Sequence, residues 1–291
     1  PGYLWKLSKE NGVPFVWGPI GGLKQFPTAY LKGSGLKMQL FMRLKNFLNI
    51  WQLKHEKRVG EALKTAKLLI SSIPDSYRAL KKYKGLESMV IPETGCFLSD
   101  DISTDRFDDE EFHIMWVGKF DFRKQLPLAL QAVALAKNPK LKLYGSGFVG
   151  QVEMAKRMGE ELGISQQVIW HGNQKNDVIM EAMRKAQLFF FTSVNEDTST
   201  VVLEAVSNRL PVVCFNACGM SAVIDDSVGR KIALSHPSQS AHDFARILNE
   251  LESNRALLKH LSENCKQRQM DLSWEVKARM VVEEYEKIIG K

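Results

Sequence analysis

The sequence predicts an α/β protein whose helices cover both faces of a parallel sheet. Between residues 112 and 252, short apolar runs alternate with segments of helical periodicity, and the connections between them are short. One run, residues 186–191, is apolar enough for a strand buried on both faces. With 291 residues, 44% of them hydrophobic, the chain has material for one large or two ordinary domains.

The predicted elements follow one another along the chain. In the first part, strands are predicted at 15–17, 67–71 and 88–91, and helical periodicity covers 36–51, 61–66 and 75–83. In the second part, the predicted strands are 112–117, 141–144, 168–170, 188–192 and 212–215, with a short segment at 231–234. The predicted helices are 126–136, 152–162, 178–185, 201–208, 240–252 and 274–289.

Residues 94–111 separate these two parts and are rich in acidic side chains. The stretch reads as a solvated linker, because runs of like charge usually face water. Its acidic residues are Asp100, Asp101, Asp105, Asp108, Asp109, Glu110 and Glu111. A metal site built on them is the weaker interpretation, and no D-x-D triplet occurs in the chain to hold a diphosphate through a metal.

The charge distribution and the cysteine spacing limit which kinds of metal site, disulfide framework and compartment fit the sequence. Residues 1–90 contain 16 Lys and Arg against 5 Asp and Glu, a net charge of +11, and the remainder contains 24 against 28, a net charge of −4. The cysteines, Cys96, Cys214, Cys218 and Cys265, show no CxxC spacing, which argues against a zinc site or a disulfide framework. A reducing, cytoplasmic setting is the expectation from this cysteine usage. The sequence shows no signal peptide and no apolar run long enough to span a membrane.

Two glutamates flank the loop after the predicted strand 188–192. Glu196 falls at the carboxyl end of the strand, where doubly wound sheets bind ligands, and Glu204 lies about one turn inside the next helix. Ser199 and Thr200 fall where that helix begins, so their backbone N–H groups and the helix dipole suit a phosphate. A phosphate site between two hydroxyl acceptors fits a sugar nucleotide. Glutamate pairs are common in α/β chains, so the interpretation needs the other loops.

Three further loops contain residues that suit a sugar nucleotide. Gly118 and Lys119, then Lys124, follow the strand at 112–117, and two cations around one turn can converge on a diphosphate. The loops after the next two strands contain residues that permit or border a close ligand: Gly145, Gly147, Gly172 and Asn173. All of these loops are expected at the same edge of the sheet.

The first part offers two features of its own. Residues 18–22, Gly-Pro-Ile-Gly-Gly, are predicted as a turn that brings backbone N–H groups near a substrate, although an ordinary tight turn fits as well. From Leu36 to Trp51, apolar residues recur at helical spacing among Lys37, Arg43 and Lys45. Such a helix can lie on an anionic membrane, but packing against its own domain is the commoner fate.

In their order along the chain, these motifs resemble those of the retaining glycosyltransferases of family 4, within glycosyl transferases group 1. The matching elements are Gly118-Lys119 with Lys124, the L-x-G-x-G loop ending at Gly145 and Gly147, Gly172, and the E-x7-E pair Glu196 and Glu204. The resemblance covers roughly residues 65–290. It implies the GT-B architecture, in which two Rossmann-like domains face a cleft.

The resemblance also implies roles. Glu196 would lie beside the donor sugar, Glu204 would bind the ribose hydroxyls, and Lys119 and Lys124 would neutralise the diphosphate leaving group without a metal or cofactor. The remaining donor contacts are assigned to Gly118, Gly145, Gly147, Gly172, Asn173, Ser199, Thr200 and Val201, and an acceptor-side loop to Gly18, Gly21 and Gly22. The expected reaction moves a hexosyl group from a UDP- or GDP-sugar to a saccharide or lipid-linked acceptor in surface polysaccharide synthesis.

The same comparison implies a domain plan. It has a partial N-terminal, acceptor-side domain at 1–95, a linker at 96–111, a complete C-terminal nucleotide-sugar domain at 112–271, and a terminal helix at 272–291 that crosses back. About one hundred residues of a typical member have no counterpart before Pro1, so we expect this chain to bind a nucleotide without transferring sugar alone. The hypothesised location is the cytoplasm, with peripheral contact at the inner membrane face.

Some features depart from the family pattern. Asp197 follows the first glutamate where many members have glycine, which changes the sugar pocket. Lys119 replaces a common arginine and exchanges a planar fork for a point charge. The Gly-Pro-Ile-Gly-Gly segment stands where many members have a histidine, and it resembles a subset linked to surface polysaccharides.

Other functions stay open at this point. A non-transferase relative such as a nucleotide-sugar epimerase would use the same cleft, as would a nucleotide-binding module without turnover. A phosphorylase would need a pyridoxal lysine and a longer chain. Nucleic acid would be attracted by a pI near 9.1, but no aromatic residues interleave the basic ones as a single-strand groove requires, so no nucleic-acid partner is expected.

Overall fold

The computed structural model describes residues 3–99 and 102–290. Pro1, Gly2 and Lys291 lie outside the described residues, as do Asp100 and Asp101 of the predicted acidic linker. Within those ranges the chain forms two parallel sheets with helices packed around them, so the α/β prediction is confirmed.

The first sheet has three strands in the order β1-β2-β3. Its strands are β1 (Val16–Ile20), β2 (Leu68–Ser71) and β3 (Met89–Val90), and its helices are α1 (Leu4–Asn11), α2 (Leu36–His55), α3 (Lys57–Thr65) and α4 (Pro74–Lys84). A small apolar core lies beneath it, formed by Ile20, Leu53, Leu63, Leu69 and Leu80. A 3-10 helix at Thr28–Leu31 leads from β1 into α2.

The second sheet has six parallel strands in the order β6-β5-β4-β7-β8-β9. The strands are β4 (His113–Lys119), β5 (Lys140–Ser146), β6 (Val168–Gly172), β7 (Leu188–Phe191), β8 (Val212–Phe215) and β9 (Gly229–Ile232). The helices are α5 (Leu126–Leu135), α6 (Val149–Glu161), α7 (Asn176–Lys185), α8 (Thr200–Ser207), α9 (Met220–Val223), α10 (Pro237–Ser253), α11 (Arg255–Asp271) and α12 (Trp274–Ile289). Successive strands are added on one side of β4 as far as β6 and on the other side from β7 onward, so the strand order switches between β4 and β7. Doubly wound sheets bind ligands at this switch point.

Strand β7 confirms the prediction of a strand buried on both faces. Phe189, Phe190 and Phe191 are each at most 1% exposed, because β4 and β8 flank the strand and helices cover both sides. The apolar run therefore places the loop after β7 at the centre of the carboxyl edge of the sheet.

The predicted turn at 18–22 is partly wrong. Gly18 belongs to β1, where a Cβ atom would lie 2.6 Å from Cβ of Ile70, so this glycine is required by the close approach of β1 to β2. Pro19 is tolerated because β1 is an edge strand. Gly21 and Gly22 follow the strand as a loop, and Gly22 has the positive φ of 77° that favours glycine.

The expectation of a solvated stretch at 94–111 is wrong at four residues. Gly95 is buried, Cys96 and Phe107 are 1% exposed, and Arg106 is 8% exposed. The Arg106 guanidinium donates to the carbonyl oxygens of Arg184 at 2.9 Å and Arg209 at 2.6 Å, so backbone acceptors bind its two terminal nitrogens. Its burial lowers the pKa of Arg106 to about 10. The connecting segment is thus packed onto the second sheet's helices.

Helix α12 returns to the connection between the sheets. Trp274 packs on Gly95, and Nζ of Lys277 donates to the carbonyl oxygen of Thr94. The predicted domain bounds themselves stay a prediction. None of the helices in residues 3–99 and 102–290 combines the length and apolar character that a membrane crossing requires.

Candidate functional site

A cavity of about 540 Å³ opens at the carboxyl edge of the six-stranded sheet. The loops after β4, β5, β6 and β7 and the first turn of α8 form its walls. Nine of the residues predicted from the sequence line it: Gly118, Lys119, Lys124, Gly145, Asn173, Glu196, Ser199, Thr200 and Val201. Residues separated by up to 83 positions in the sequence therefore meet at one place, because parallel strands all end at this edge.

Lys124 and Glu196 form an ion pair across the cavity floor. Nζ of Lys124 lies 2.9 Å from Oε1 of Glu196, and the two side chains are 15% and 19% exposed. The hydroxyl of Ser193 lies 3.0 Å from the same oxygen. Both contacts engage Oε1, so the carboxylate is held in a fixed orientation beside the ammonium group.

The loop that carries Lys124 is tied to the end of β7 by hydrogen bonds. The hydroxyl of Thr192 donates to the carbonyl oxygen of Lys124 at 2.8 Å, and the indole N–H of Trp116 donates to that hydroxyl at 3.0 Å. The backbone N–H of Val194 donates to the carbonyl oxygen of Arg123 at 3.0 Å. These buried bonds fix the height of Lys124 above the strand ends.

Glycines bring β4 and β5 together under the cavity. A Cβ atom on Gly145 would lie 1.8 Å from the carbonyl oxygen of Gly118, its partner in the strand register. No side chain fits in that space, and Gly145 has a φ of 150°. The backbone of both strands is therefore exposed to a ligand. Lys119 ends β4 directly beside this gap and is exposed.

The first turn of α8 presents backbone donors to the cavity. Ser199 is the N-cap residue, with an extended φ and ψ of −77° and 121°. The first amides of a helix have no intrahelical acceptor, and the helix dipole adds positive potential there. Because Lys119 and Lys124 line the same space, the potential at this point favours an anion.

Glu204 faces a second cavity, of about 800 Å³, on the other side of the first turn of α8. Thr200 lines both cavities, so they adjoin. Burial raises the pKa of the Glu204 carboxyl above its ordinary value.

Two predicted donor contacts, Gly147 and Gly172, do not line the first cavity. A Cβ on Gly147 would lie 2.8 Å from Cβ of Phe120, whereas Gly172 has a positive φ of 69° beside Asn173.

Loops around the three-stranded sheet contact Asp197 and Thr198, beside the first cavity. Nζ of Lys24 forms an ion pair with Oδ1 of Asp197, the residue after Glu196. A Cβ on Gly21 would lie 3.4 Å from the Asp197 carboxylate, so this loop touches the site, whereas Gly22 has no neighbour within 4 Å at its Cβ position. The carboxylate of Glu93 accepts a hydrogen bond of 2.6 Å from the backbone N–H of Thr198.

Sequence reasoning missed several lining residues. Asp121 and Arg123 form an ion pair of 2.7 Å at the rim, and Arg123 adds a third cation to the cavity. The segment Phe-Asp-Phe-Arg between Lys119 and Lys124 was the available signal. Within the described ranges, no three His, Cys, Asp or Glu side chains are grouped closely enough to hold a metal ion.

Comparison with known proteins assigns the family. The family model described as glycosyl transferases group 1 matches residues 100–268, more than half of the chain. The chain belongs to this family. Its fold is accordingly that of a GT-B glycosyltransferase, with the matched region covering the six-stranded sheet and the cavity at its edge.

Two curated proteins are similar to part of this chain. An uncharacterized glycosyltransferase of Methanocaldococcus jannaschii is 25% identical over 146 residues, which is 49% of this chain and 37% of the relative. The D-inositol 3-phosphate glycosyltransferase of Corynebacterium jeikeium is 27% identical over 184 residues, 60% of this chain and 43% of the relative. The chain thus spans less than half the length of both relatives.

Solved structures of GT-B glycosyltransferases share the fold. HepE of Anabaena, in complex with UDP, has a TM-score of 0.68 at 15% identity and covers 97% of this chain and 75% of its own. WaaG, a glycosyltransferase involved in lipopolysaccharide biosynthesis, has a TM-score of 0.62 at 20% identity and covers 94% of this chain and 80% of its own. At these identities the likeness concerns the fold alone.

Proposed function

We propose that this chain binds a nucleotide-sugar at the carboxyl edge of the six-stranded sheet and supplies the donor side of a retaining hexosyl transfer, as a member of family 4. The observation that carries the proposal is the convergence of Lys119, Lys124 and the first turn of α8 on one cavity. Two cations and a helix N-terminus suit a diphosphate.

The proposed chemistry uses fixed charges. Breaking the bond between sugar and diphosphate leaves negative charge on the departing phosphate, and preplaced cations and N–H dipoles lower that barrier. Lys119, Lys124 and the amides of Ser199, Thr200 and Val201 are assigned this role. Since these groups are protein donors, the proposal needs no metal or cofactor.

The two glutamates are assigned to the sugars. Oε1 of Glu196 is engaged by Lys124 and Ser193, and the proposal assigns Oε2 to a hydroxyl of the transferred sugar. Glu204, beyond Thr200, is assigned to the ribose hydroxyls of the nucleotide. A diphosphate bound at Lys124 would compete with Glu196 for the ammonium group, so donor binding is expected to reposition this pair.

The relatives suggest which ligands to test first. UDP is bound in the HepE complex, which makes a uridine nucleotide the first choice, with GDP-sugars as the second. The name of WaaG places that protein in lipopolysaccharide biosynthesis, and we extend this to a saccharide or lipid-linked acceptor in surface polysaccharide synthesis. The identities of the donor sugar and of the acceptor therefore belong to the proposal.

A thermal-shift screen tests donor binding. UDP, GDP, ADP and their sugars are added to wild type, Lys124→Ala and Glu204→Ala, with Lys156→Ala on exposed α6 as the matched control. A ligand at 100 times its Kd stabilises by about 2.7 kcal/mol, a Tm rise of several degrees. We expect one nucleotide class to stabilise wild type and the control, with affinity reduced roughly ten-fold or more in the other two variants.

Two results would overturn the proposal. One is no Tm change with any nucleotide in wild type. The other is a nucleotide response that Lys124→Ala and Glu204→Ala leave unchanged, since the ligand would then bind elsewhere.

A further inference from the structure

Helix α2 leaves an apolar stripe open to solvent. Seven large apolar side chains of this helix are between 40% and 84% exposed: Leu36, Leu40, Phe41, Leu44, Phe47, Leu48 and Trp51. They recur three and four residues apart, so they share one face of the helix. Contiguous exposed apolar surface of this kind marks an interaction site.

The opposite face of α2 fixes the helix to the fold. Met42 and Leu53 are buried. The Asn46 side chain exchanges two hydrogen bonds with the backbone of Phe26: Nδ2 donates to the carbonyl oxygen at 2.8 Å, and Oδ1 accepts from the N–H at 2.9 Å. The stripe is therefore the outward face of an anchored helix, and exposing it requires no displacement of α2.

Charge distinguishes among the surfaces that could cover this stripe. Helix α2 contains no Asp or Glu, and its Lys and Arg side chains are Lys37, Arg43, Lys45 and Lys54. It lies in the first 90 residues, whose net charge is +11. Helix α12 offers a contrast, because it also exposes apolar residues but carries Glu283, Glu284 and Glu286 among them. The α2 face complements an anionic surface, and the α12 face does not.

We propose that the exposed face of α2 lies in the headgroup region of an anionic lipid bilayer. A helix with an apolar stripe and flanking Lys and Arg gains both apolar burial and attraction to anionic lipids when it lies in the interface plane. Nδ2 of Asn49 donates to the carbonyl oxygen of Gly22 at 3.4 Å, so the loop opposite Asp197 is joined to the membrane-facing helix. The contact does not depend on donor binding, so its test is separate from that of the proposed function.

Vesicle flotation tests the contact. Wild type is mixed with phosphatidylcholine vesicles, with and without about 30% phosphatidylglycerol, at low and high salt. We expect flotation with the anionic vesicles that weakens as salt rises. Leu40→Ser/Phe47→Ser should reduce partitioning roughly 30-fold and Lys37→Glu/Lys45→Glu roughly ten-fold. The matched control Val282→Ser/Tyr285→Ser on α12 should behave as wild type, and circular dichroism checks that all variants fold.

Fluorescence locates the helix in the bilayer. Trp51 is 48% exposed on the stripe and Trp274 is 43% exposed on α12. Brominated lipids should quench emission in wild type, and Trp51→Phe should abolish the quenching while Trp274→Phe retains it. The proposal is overturned if no vesicle is bound, if neutral and anionic vesicles bind equally, or if the α2 variants float as wild type does. It is also overturned if light scattering shows an oligomer that Leu40→Ser/Phe47→Ser dissociates, because a second copy would then cover the stripe.

Discussion

Glu196 and Glu204 lie in one segment of the chain but in different electrostatic surroundings. Glu196 is held by the Lys124 ammonium group 2.9 Å away. Glu204 lies against α7 and the connecting segment, where burial raises the pKa of its carboxyl. A raised pKa means that ionised Glu204 is a cost to the fold, and a cost of this kind is common where a group awaits a ligand.

Glu204→Gln should therefore stabilise the ligand-free protein at neutral pH. The folded state binds the Glu204 proton more tightly than the unfolded state, so the wild-type penalty is full above the raised pKa and vanishes below the ordinary value of 4.5. The Tm of the variant should exceed that of wild type at about pH 7, and the difference should disappear near pH 4. Thermal melts across this range measure it.

Glu181→Gln is the matched control, with the opposite sign. The pKa of Glu181 is lowered by its hydrogen bond to Lys185, so removing this carboxylate should reduce stability at neutral pH and have no effect in acid. A Tm difference for Glu204→Gln that is constant with pH, or that is negative at neutral pH, would show that burial does not set the Glu204 pKa.

The site residues that come directly after a strand could be predicted from the sequence. Lys119, Lys124, Glu196 and Ser199 all follow strands whose apolar runs are unmistakable, so their common edge follows from the parallel topology. The Lys24–Asp197 ion pair joins positions 173 residues apart. Its partners sit in loops of different sheets, and no local pattern specifies how those sheets face each other.

At the scale of elements, the register of β4 and β5 depends on a contact between two backbones. Gly145→Ala should destabilise the protein by roughly 3 kcal/mol or more, because the new methyl group would need the space of the Gly118 carbonyl oxygen, only 1.8 Å away. Denaturant unfolding measures the loss. Gly172→Ala is the control: its φ is also positive, but nothing lies within 4 Å of the added Cβ, so about 1–2 kcal/mol of backbone strain is the whole cost. Equal losses in the two variants would show that strain, and not the β4–β5 contact, decides the effect.

The helices that the sequence did not predict share a physical reason. The buried face of α11 includes Ser262 and Gln269 among Leu258, Leu261 and Cys265, so polar residues dilute the apolar periodicity. The hydroxyl of Ser262 donates to the carbonyl oxygen of Arg209 at 2.7 Å, a tertiary bond that makes its burial affordable. Helix α1 buries only Trp5 among its described residues. A helix whose buried apolar positions are few, as in α1, or interrupted by polar residues, as in α11, carries a weak local signal.

At the scale of the whole molecule, side chains from the elements around the first sheet hydrogen-bond to loops of the second sheet. Asp75 accepts a hydrogen bond of 3.0 Å from the backbone N–H of Cys218, and Glu93 accepts one of 2.6 Å from Thr198. Together with the Lys24–Asp197 ion pair, they converge on the loops after β7 and β8. The walls of the cleft are thus joined beside the residues assigned to the donor.

A double-mutant cycle on Lys24→Met and Asp197→Asn measures how strongly the two sheets are held together. Lys24 is 11% exposed and Asp197 43%, so the pair is only partly screened and a coupling of about 1 kcal/mol is expected from denaturant unfolding. The Lys81–Glu87 pair, at 2.9 Å with side chains 57% and 69% exposed, serves as the control within the first sheet's unit and should show no measurable coupling. Because Lys24 and Asp197 belong to different sheets, their coupling reports on the cleft, and a value equal to the control's would mean that packing and the Asp75 and Glu93 hydrogen bonds hold the cleft without this pair.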